Sequence, residues 1–172
     1  AVVGPQLPEA NAVIQAKAEA VGARLFLFDR DWRVTTTATG FRYQGATTID
    51  LPNPGLPGRH QIDNAGIAVA VAERLRDTGF RLDDKAVRQG VEKVEWPARL
   101  QRLTRGPLVT LLKPGAELFL DGGHNEDGGR VLAEWAAAHR DKPLDVVCGM
   151  LSTKQPDRFL AHLAPHVRRF RA

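Results

Sequence analysis

Two rhythms alternate along the chain. "PEANAVIQAKAEAVGA" sets Ile14, Ala18 and Val21 on one face at helical spacing, with proline and glutamate near its start and Gly22 suited to its end. It predicts an amphipathic helix. The apolar "RLFLF" after it predicts a short strand, and the opening residues read as the end of another. "DWRVTTTATGFRYQGATTIDL" is rich in Thr, Val and aromatic residues and is punctuated by Gly40 and Gly45, which predicts small antiparallel strands. "PNPGLPGRHQ" reads as a Pro/Gly loop. "NAGIAVAVAERL" predicts an Ala-rich helix from about Asn64 to Leu75, and a further helix is expected from after Asp83 to near Glu95.

The texture changes at Trp96. "WPARLQRL", "LVTLL", "AELFLD" and "LDVVCGM" are short apolar stretches. After "AELFLD" the pattern predicts a helix with Val131, Leu132, Trp135 and Ala136 on one face, and after "LDVVCGM" a second, "QPDRFLAHLAP". Strand and helix in alternation predict a parallel sheet and an α/β fold. A boundary near Trp96 divides the chain into residues 1–95 and 96–172.

Bulk composition narrows the class only slightly. The 172 residues are 43% hydrophobic and 26% charged, enough for one full domain or two small ones. No apolar run approaches the roughly 20 residues of a membrane span, so no membrane partner is expected. Cys148 is the single cysteine, which rules out an intrachain disulfide framework and favours a reducing, cytoplasmic setting; in its apolar run it reads as a buried small hydrophobe. "AVVGPQLPEA" lacks the plan of a secretory signal and has no initiator methionine. With so few elements after Trp96, an internal fragment of a longer protein is expected. Residues 1–95 carry 12 basic and 12 acidic side chains, whereas 96–172 carry 12 and 8, the whole of the net +4. That bias suits phosphate-bearing ligands. The terminal "HVRRFRA" has no stacking motif around it, which argues against a nucleic-acid partner.

Three places carry candidate chemistry. In "LFLDGGHNEDGG" a strand ends at Asp121, where ligands sit in parallel α/β sheets. Gly122 and Gly123 let the backbone turn close to a ligand, and a helix beginning at Asn125 offers free N–H groups and a dipole to an anion. Asp121 can accept from a ribose and His124 can donate to an oxyanion; the local alternative is a plain turn and helix cap. In "LPGRHQIDNAG", Asn64 can read a purine edge, or Asp63 or Asn64 simply caps a helix. In "WPARLQ", the planar donor fork of Arg99 suits phosphate, or it is a surface residue. The chain has no G-x-x-x-x-G-K-[ST], no G-x-G-x-x-G, no HExxH and no paired CxxC, so neither a phosphate cradle nor a metal site is expected within it.

Taken in order, "LPGRHQIDNA", "WPARLQ", "LFLDGGHNEDGG" and "VVCGMLSTKQPDRFLAHLAP" resemble the folylpolyglutamate synthase / dihydrofolate synthase family, which is related to the Mur ligases. The opening "AVVGPQ" and "GARLFLFDRDW" are similar to it as well. The resemblance implies that residues 1–95 are the C-terminal part of a Mur-ligase-like ATPase domain with small antiparallel strands and helices. Residues 96–172 would be the first part of a Rossmann-like C-terminal domain. It implies binding of ATP with Mg²⁺, whose ligands would lie upstream together with the P-loop, and an enzyme that acts as a monomer.

The resemblance also implies roles. Asn64 would contact the adenine side of ATP, Arg99 the phosphates and Asp121 the ribose, with His124 near the phosphates or the incoming amino acid. The implied reaction is ATP-dependent amide formation between L-glutamate and dihydropteroate or a folate, through an acyl phosphate. The 172 residues alone would not turn over. The family pattern more often reads "PGR" and "HNP", so Ala98 and Glu126 depart from it. Two alternatives stay open: a Mur-type amino-acid ligase of peptidoglycan synthesis, and a non-catalytic nucleotide- or anion-binding α/β module.

Overall fold

The computed structural model describes residues 1–151 and 153–172, and it divides the chain into two compact units, Ala1–Glu95 and Trp96–Ala172. The motif "VVCGMLSTKQPDRFLAHLAP" therefore has one residue, Ser152, outside the described residues.

The first unit opens with a parallel crossover. Strand β1 (Val2–Val3) pairs in parallel with β2 (Phe26–Leu27), and helix α1 (Pro8–Ala20) makes the connection between them. Gly22, at φ 66°, ends that helix in the left-handed region, as its position in the sequence predicts. Next comes an antiparallel meander of β3 (Arg33–Thr37), β4 (Gly40–Gln44) and β5 (Thr48–Pro52). Alternation along β4 turns Phe41 and Tyr43 inward, both fully buried, and leaves Arg42 outside to pair with Asp50 on β5 at 2.7 Å. Helix α2 (His60–Arg76) lies over this meander, with Gly66, Val69, Ala70 and Glu73 on its buried face. A Cβ at Gly66 would stand 2.5 Å from Val34 and 2.9 Å from Trp32, so the glycine is what lets helix and sheet approach. Helix α3 (Asp84–Glu92) adds Val91 to the same core of Trp32, Phe41, Tyr43 and Leu51. Asp83 caps it by accepting from the Ala86 N–H at 2.7 Å.

The second unit is built from two strand pairs. Strand β6 (Gln101–Leu103) runs antiparallel to β7 (Leu118–Leu120), and β8 (Leu144–Val147) runs parallel to β9 (Val167–Arg171). Helix α5 (Glu126–Ala138) packs on α6 (Pro156–Leu163), closing a small core of Ala133, Phe159 and Leu163. Cys148 is half-buried against this cluster rather than fully enclosed.

Two expectations from the sequence change here, the start of α2 and the extent of parallel pairing, and the apolar stretch "LVTLL" takes its form. Helix α2 begins at His60, four residues before Asn64, so neither Asp63 nor Asn64 caps it; Arg59 stands at its start without a capping side chain. "LVTLL" is not a strand. Pro107 starts a single helical turn, α4 (Pro107–Thr110), after Gly106 at φ 107°. That one turn is too short for a parallel crossover, and the chain returns beside β6 as its antiparallel neighbour. The parallel pairing expected throughout this half is confined to β8 and β9, which α6 joins, and no ladder joins β7 to β8 among the described residues.

Candidate functional site

Arg99, Asp121 and His124 come together in the second unit, around the point where β7 ends. The chain enters this corner through an unusual backbone. Ala98 (φ 57°) and Leu100 (φ 45°) both occupy the left-handed region, at a cost of roughly 1–2 kcal/mol each for residues with a Cβ. Leu100 compensates by burying its side chain to 4% exposure. Ala98 has no such return. A glycine at that position would adopt the same backbone angle without this cost. Ala98→Gly should raise the unfolding free energy by about 0.5–1 kcal/mol, relief of the left-handed strain exceeding the added unfolded-state entropy. A urea melt at constant slope measures it.

Four hydrogen bonds hold the corner. The Leu100 N–H donates to Asp121 Oδ2 at 2.8 Å, and the Gly122 N–H donates to the Ala98 carbonyl at 2.9 Å. The Ala98 N–H donates to Gln101 Oε1 at 3.0 Å, and the Gly123 N–H to Asp121 Oδ1 at 2.7 Å. Each oxygen of Asp121 thus already accepts one backbone N–H, with one further lone pair on each open to a ligand. Arg99, between the two left-handed residues, is exposed and has no hydrogen bond or ion pair among the described residues. Its Nη1 lies 3.9 Å from where a Cβ on Gly122 would stand, which places the guanidinium alongside the turn.

His124 is exposed, with Nδ1 3.1 Å from the Gly122 carbonyl. Asn125 caps α5 by accepting from the Gly128 N–H at 2.9 Å. The N–H groups of Glu126 and Asp127, in the first turn, have no partner within a helix. Acidic side chains at this end would oppose an anion, but both are engaged elsewhere. Asp127 pairs with Arg130 at 2.7 Å; Glu126 faces Arg158 and His162 on α6 at 3.6 and 3.7 Å. The departure at Glu126 ties two helices together and does not aim a charge at the turn. The corner can hold an oxyanion between the Arg99 guanidinium and a helix N-terminus.

Asn64 belongs to the first unit and is not part of this cluster. It is exposed on α2, and its Nδ2 donates to Gln61 Oε1 at 3.0 Å; Gln61 in turn contacts His60 Nε2 at 2.9 Å. Asn64 and Gln61 are the amides on an apolar groove of about 390 Å³ between α2 and α3, whose walls include Leu56, Ala65, Val87 and Val91.

Sequence reasoning missed one polar centre altogether. Glu73 is 7% exposed. Its carboxylate accepts from Tyr43 Oη at 2.7 Å, Thr47 Oγ1 at 2.7 Å, and the N–H groups of Thr47 and Ala46 at 2.8 and 3.3 Å. Burial pushes its pKa up, but the bonds from Thr47, Tyr43 and the backbone outweigh burial and leave it below the ordinary glutamate value. Burial, then the bond to Glu73, drives the Tyr43 hydroxyl well above the usual tyrosine range, so it stays a donor. The available signal was position: Glu73 follows Val69 and Ala70 by four and three residues on one helical face.

Among the described residues no group of three or more His, Cys, Asp or Glu is placed to hold a metal ion, and no helix is long and apolar enough to cross a membrane. No family profile matches the chain. Individual proteins do. A folylpolyglutamate synthase of Lacticaseibacillus casei is 32% identical over 161 residues, 89% of this chain and 35% of that protein. A folylpolyglutamate synthase–AMPPCP–folate complex superposes with a TM-score of 0.78 at 28% identity, over 98% of this chain and 40% of that one. A bifunctional folylpolyglutamate synthase/dihydrofolate synthase with Mn, AMPPNP and L-glutamate bound gives a TM-score of 0.74 at 31% identity, over 98% and 37%. The chain spans about a third of the length of the curated relatives it matches.

Proposed function

We propose, from its similarity in sequence and fold to individual folylpolyglutamate and dihydrofolate synthases over nearly its whole length, that the chain is part of an ATP-dependent acid–amino-acid ligase. On this reading residues 1–95 are the later part of its ATPase domain. Residues 96–172 are the beginning of its Rossmann-like C-terminal domain. The observation that carries the proposal is the guanidinium of Arg99, unpaired among the described residues, beside the glycine turn at the start of capped helix α5.

The nucleotide supplies a phosphoryl group that activates a carboxylate as an acyl phosphate. The amine of L-glutamate attacks that carbonyl and phosphate leaves. This chain contributes positioning and charge. Arg99 binds phosphate oxygens through its donor fork, and the first N–H groups of α5 add to the same field. The remaining lone pairs of Asp121 accept from ribose hydroxyls. The exposed ring of His124 donates to phosphate or to the amino-acid carboxylate. In the first unit, taken by itself, the Asn64 amide offers hydrogen bonds to a purine edge beside the apolar α2–α3 groove. A divalent metal, Mg²⁺ in the cell, would neutralise phosphate charge; since no group of His, Cys, Asp or Glu among the described residues is placed to hold it, its protein ligands would come from outside them. The acceptor is dihydropteroate or a folate, and the enzyme works as a cytoplasmic monomer.

Titrating AMPPNP into the chain should shift the amide resonances of Gly122–Asp127. Arg99→Ala should weaken that binding about tenfold, the scale of one charge-assisted bond. An unperturbed set of amides at saturating nucleotide would sink the reading. The reaction class is decided by incubating the protein that carries this chain with dihydropteroate, ATP and glutamate. ADP release is expected there; release only with a UDP-muramoyl substrate would assign it to the Mur ligases. The chain alone, with no Gly-Lys-Ser/Thr loop, should give no turnover.

A further inference from the structure

We propose that Asp121 is a positioning residue for Arg99, acting on the phosphate end of the nucleotide as well as on the ribose. The inference rests on the nucleotide reading above and deepens it. Arg99 sits between two residues whose backbones are strained, Ala98 at φ 57° and Leu100 at φ 45°. Left alone, that tripeptide would relax toward extended or helical angles, and the direction of the Arg99 side chain would change with it. Two contacts from the β7 end prevent this. Asp121 Oδ2 accepts from the Leu100 N–H at 2.8 Å, and the Ala98 carbonyl accepts from Gly122 at 2.9 Å. These bonds flank Arg99 on either side and come from consecutive residues of the turn. Buried Leu100 fixes the third point.

The same carboxylate orders the turn itself, since Oδ1 accepts from Gly123 N–H at 2.7 Å. One side chain therefore sets both walls of the anion corner, the guanidinium on one side and the glycine turn leading to α5 on the other. Neutralising Asp121 should disturb phosphate binding even when no ribose is present. A carboxylate that only held ribose hydroxyls would not do that.

The test titrates inorganic tripolyphosphate, ATP and 2′,3′-dideoxy-ATP into the chain and into D121N, R99A and the double variant. Amide hydrogen exchange at Leu100 is measured in each. Exchange at Leu100 should rise at least tenfold in D121N and stay unchanged in R99A. D121N should weaken tripolyphosphate about as much as R99A does, near tenfold, and the double variant should be no worse than either single one, as expected for residues acting as one unit. Full tripolyphosphate affinity in D121N, with loss confined to ATP against its dideoxy form, overturns positioning and leaves a ribose acceptor. Unchanged Leu100 exchange in D121N overturns the latch by itself. If the parent chain binds no tripolyphosphate and no ATP, the nucleotide reading falls, and the claim about phosphate falls with it.

Discussion

Glu73→Ala should remove a large part of the stability of the first unit, on the order of 3–5 kcal/mol, because it strips the carboxylate from four donors of the meander and from Arg74 beside it. Those donors lie on different elements. Tyr43 belongs to β4, and Ala46 and Thr47 form the turn into β5, so Glu73 ties helix α2 to the meander it covers. After truncation the buried Tyr43 hydroxyl is left without its acceptor and pays its desolvation, while the exposed Thr47 can turn to water. A domain of this size has roughly 5–10 kcal/mol in total, so thermal unfolding should show the unit melting near ambient temperature. Tyr43→Phe removes one donor and no acceptor, and should cost about 1–2 kcal/mol. Equal losses in the two variants would refute the network as the cause.

The same group gives the unit an acid limit. Glu73 is held below the ordinary glutamate value in the folded state, so the unfolded chain takes up the proton first as pH falls. Its contribution is fully present above the unfolded value and is lost as pH drops through the lower, folded one. Stability measured from neutral pH downward should fall in that window. In Glu73→Gln this part of the slope should vanish.

How much of this was legible depended on where the partners lie. The strand–helix–strand order of β1, α1 and β2 and the antiparallel strands β3–β5 follow from local periodicity and from glycines at their ends, whereas the parallel pairing of β1 with β2 is seen only in the structure. The start of α2 was misjudged because His60 and Gln61 are not the residue types that announce a helix, and no side chain caps it. Glu73 looks like a solvated acid on an Ala-rich helix; what buries it is a turn 26 residues earlier. Asp121 was visible as a strand-end acceptor, yet its partner at Leu100 lies 21 residues away, and nothing in "WPARLQ" announces two left-handed residues. Arg99, Asp121 and His124 could be named from motif order. Their mutual arrangement could not, because it is set by backbone angles that ordinary side chains rarely adopt.

Gly129→Ala carries the second large effect, and it tests the support beneath the corner. A Cβ at Gly129 would stand 2.3 Å from the Phe159 carbonyl oxygen and 2.9 Å from its Cα. Both obstacles are backbone of α6, so no rotamer change can make room and the helices must part. Phe159 and Leu163, each 4% exposed, lie on that face and would lose packing. Overpacking of this kind costs about 1–3 kcal/mol, and the upper end is expected where backbone must move. Gly90 on α3 is the internal comparison, since a Cβ there meets nothing within 4 Å. Gly90→Ala should therefore stabilise by up to about 1 kcal/mol, the helix-propensity difference alone. Opposite signs in paired urea melts are the expected result; a neutral or stabilising Gly129→Ala would mean that α5 and α6 do not meet as described. The consequence reaches the site, because α5 begins at Glu126, one turn before Gly129, and Asn125 caps it. A displaced α5 carries the Asn125 cap and the first N–H groups away from Gly123 and Arg99. Gly129→Ala should therefore weaken tripolyphosphate binding while leaving the Leu100 amide protected by Asp121, a pattern that separates damage to the helix from damage to the latch.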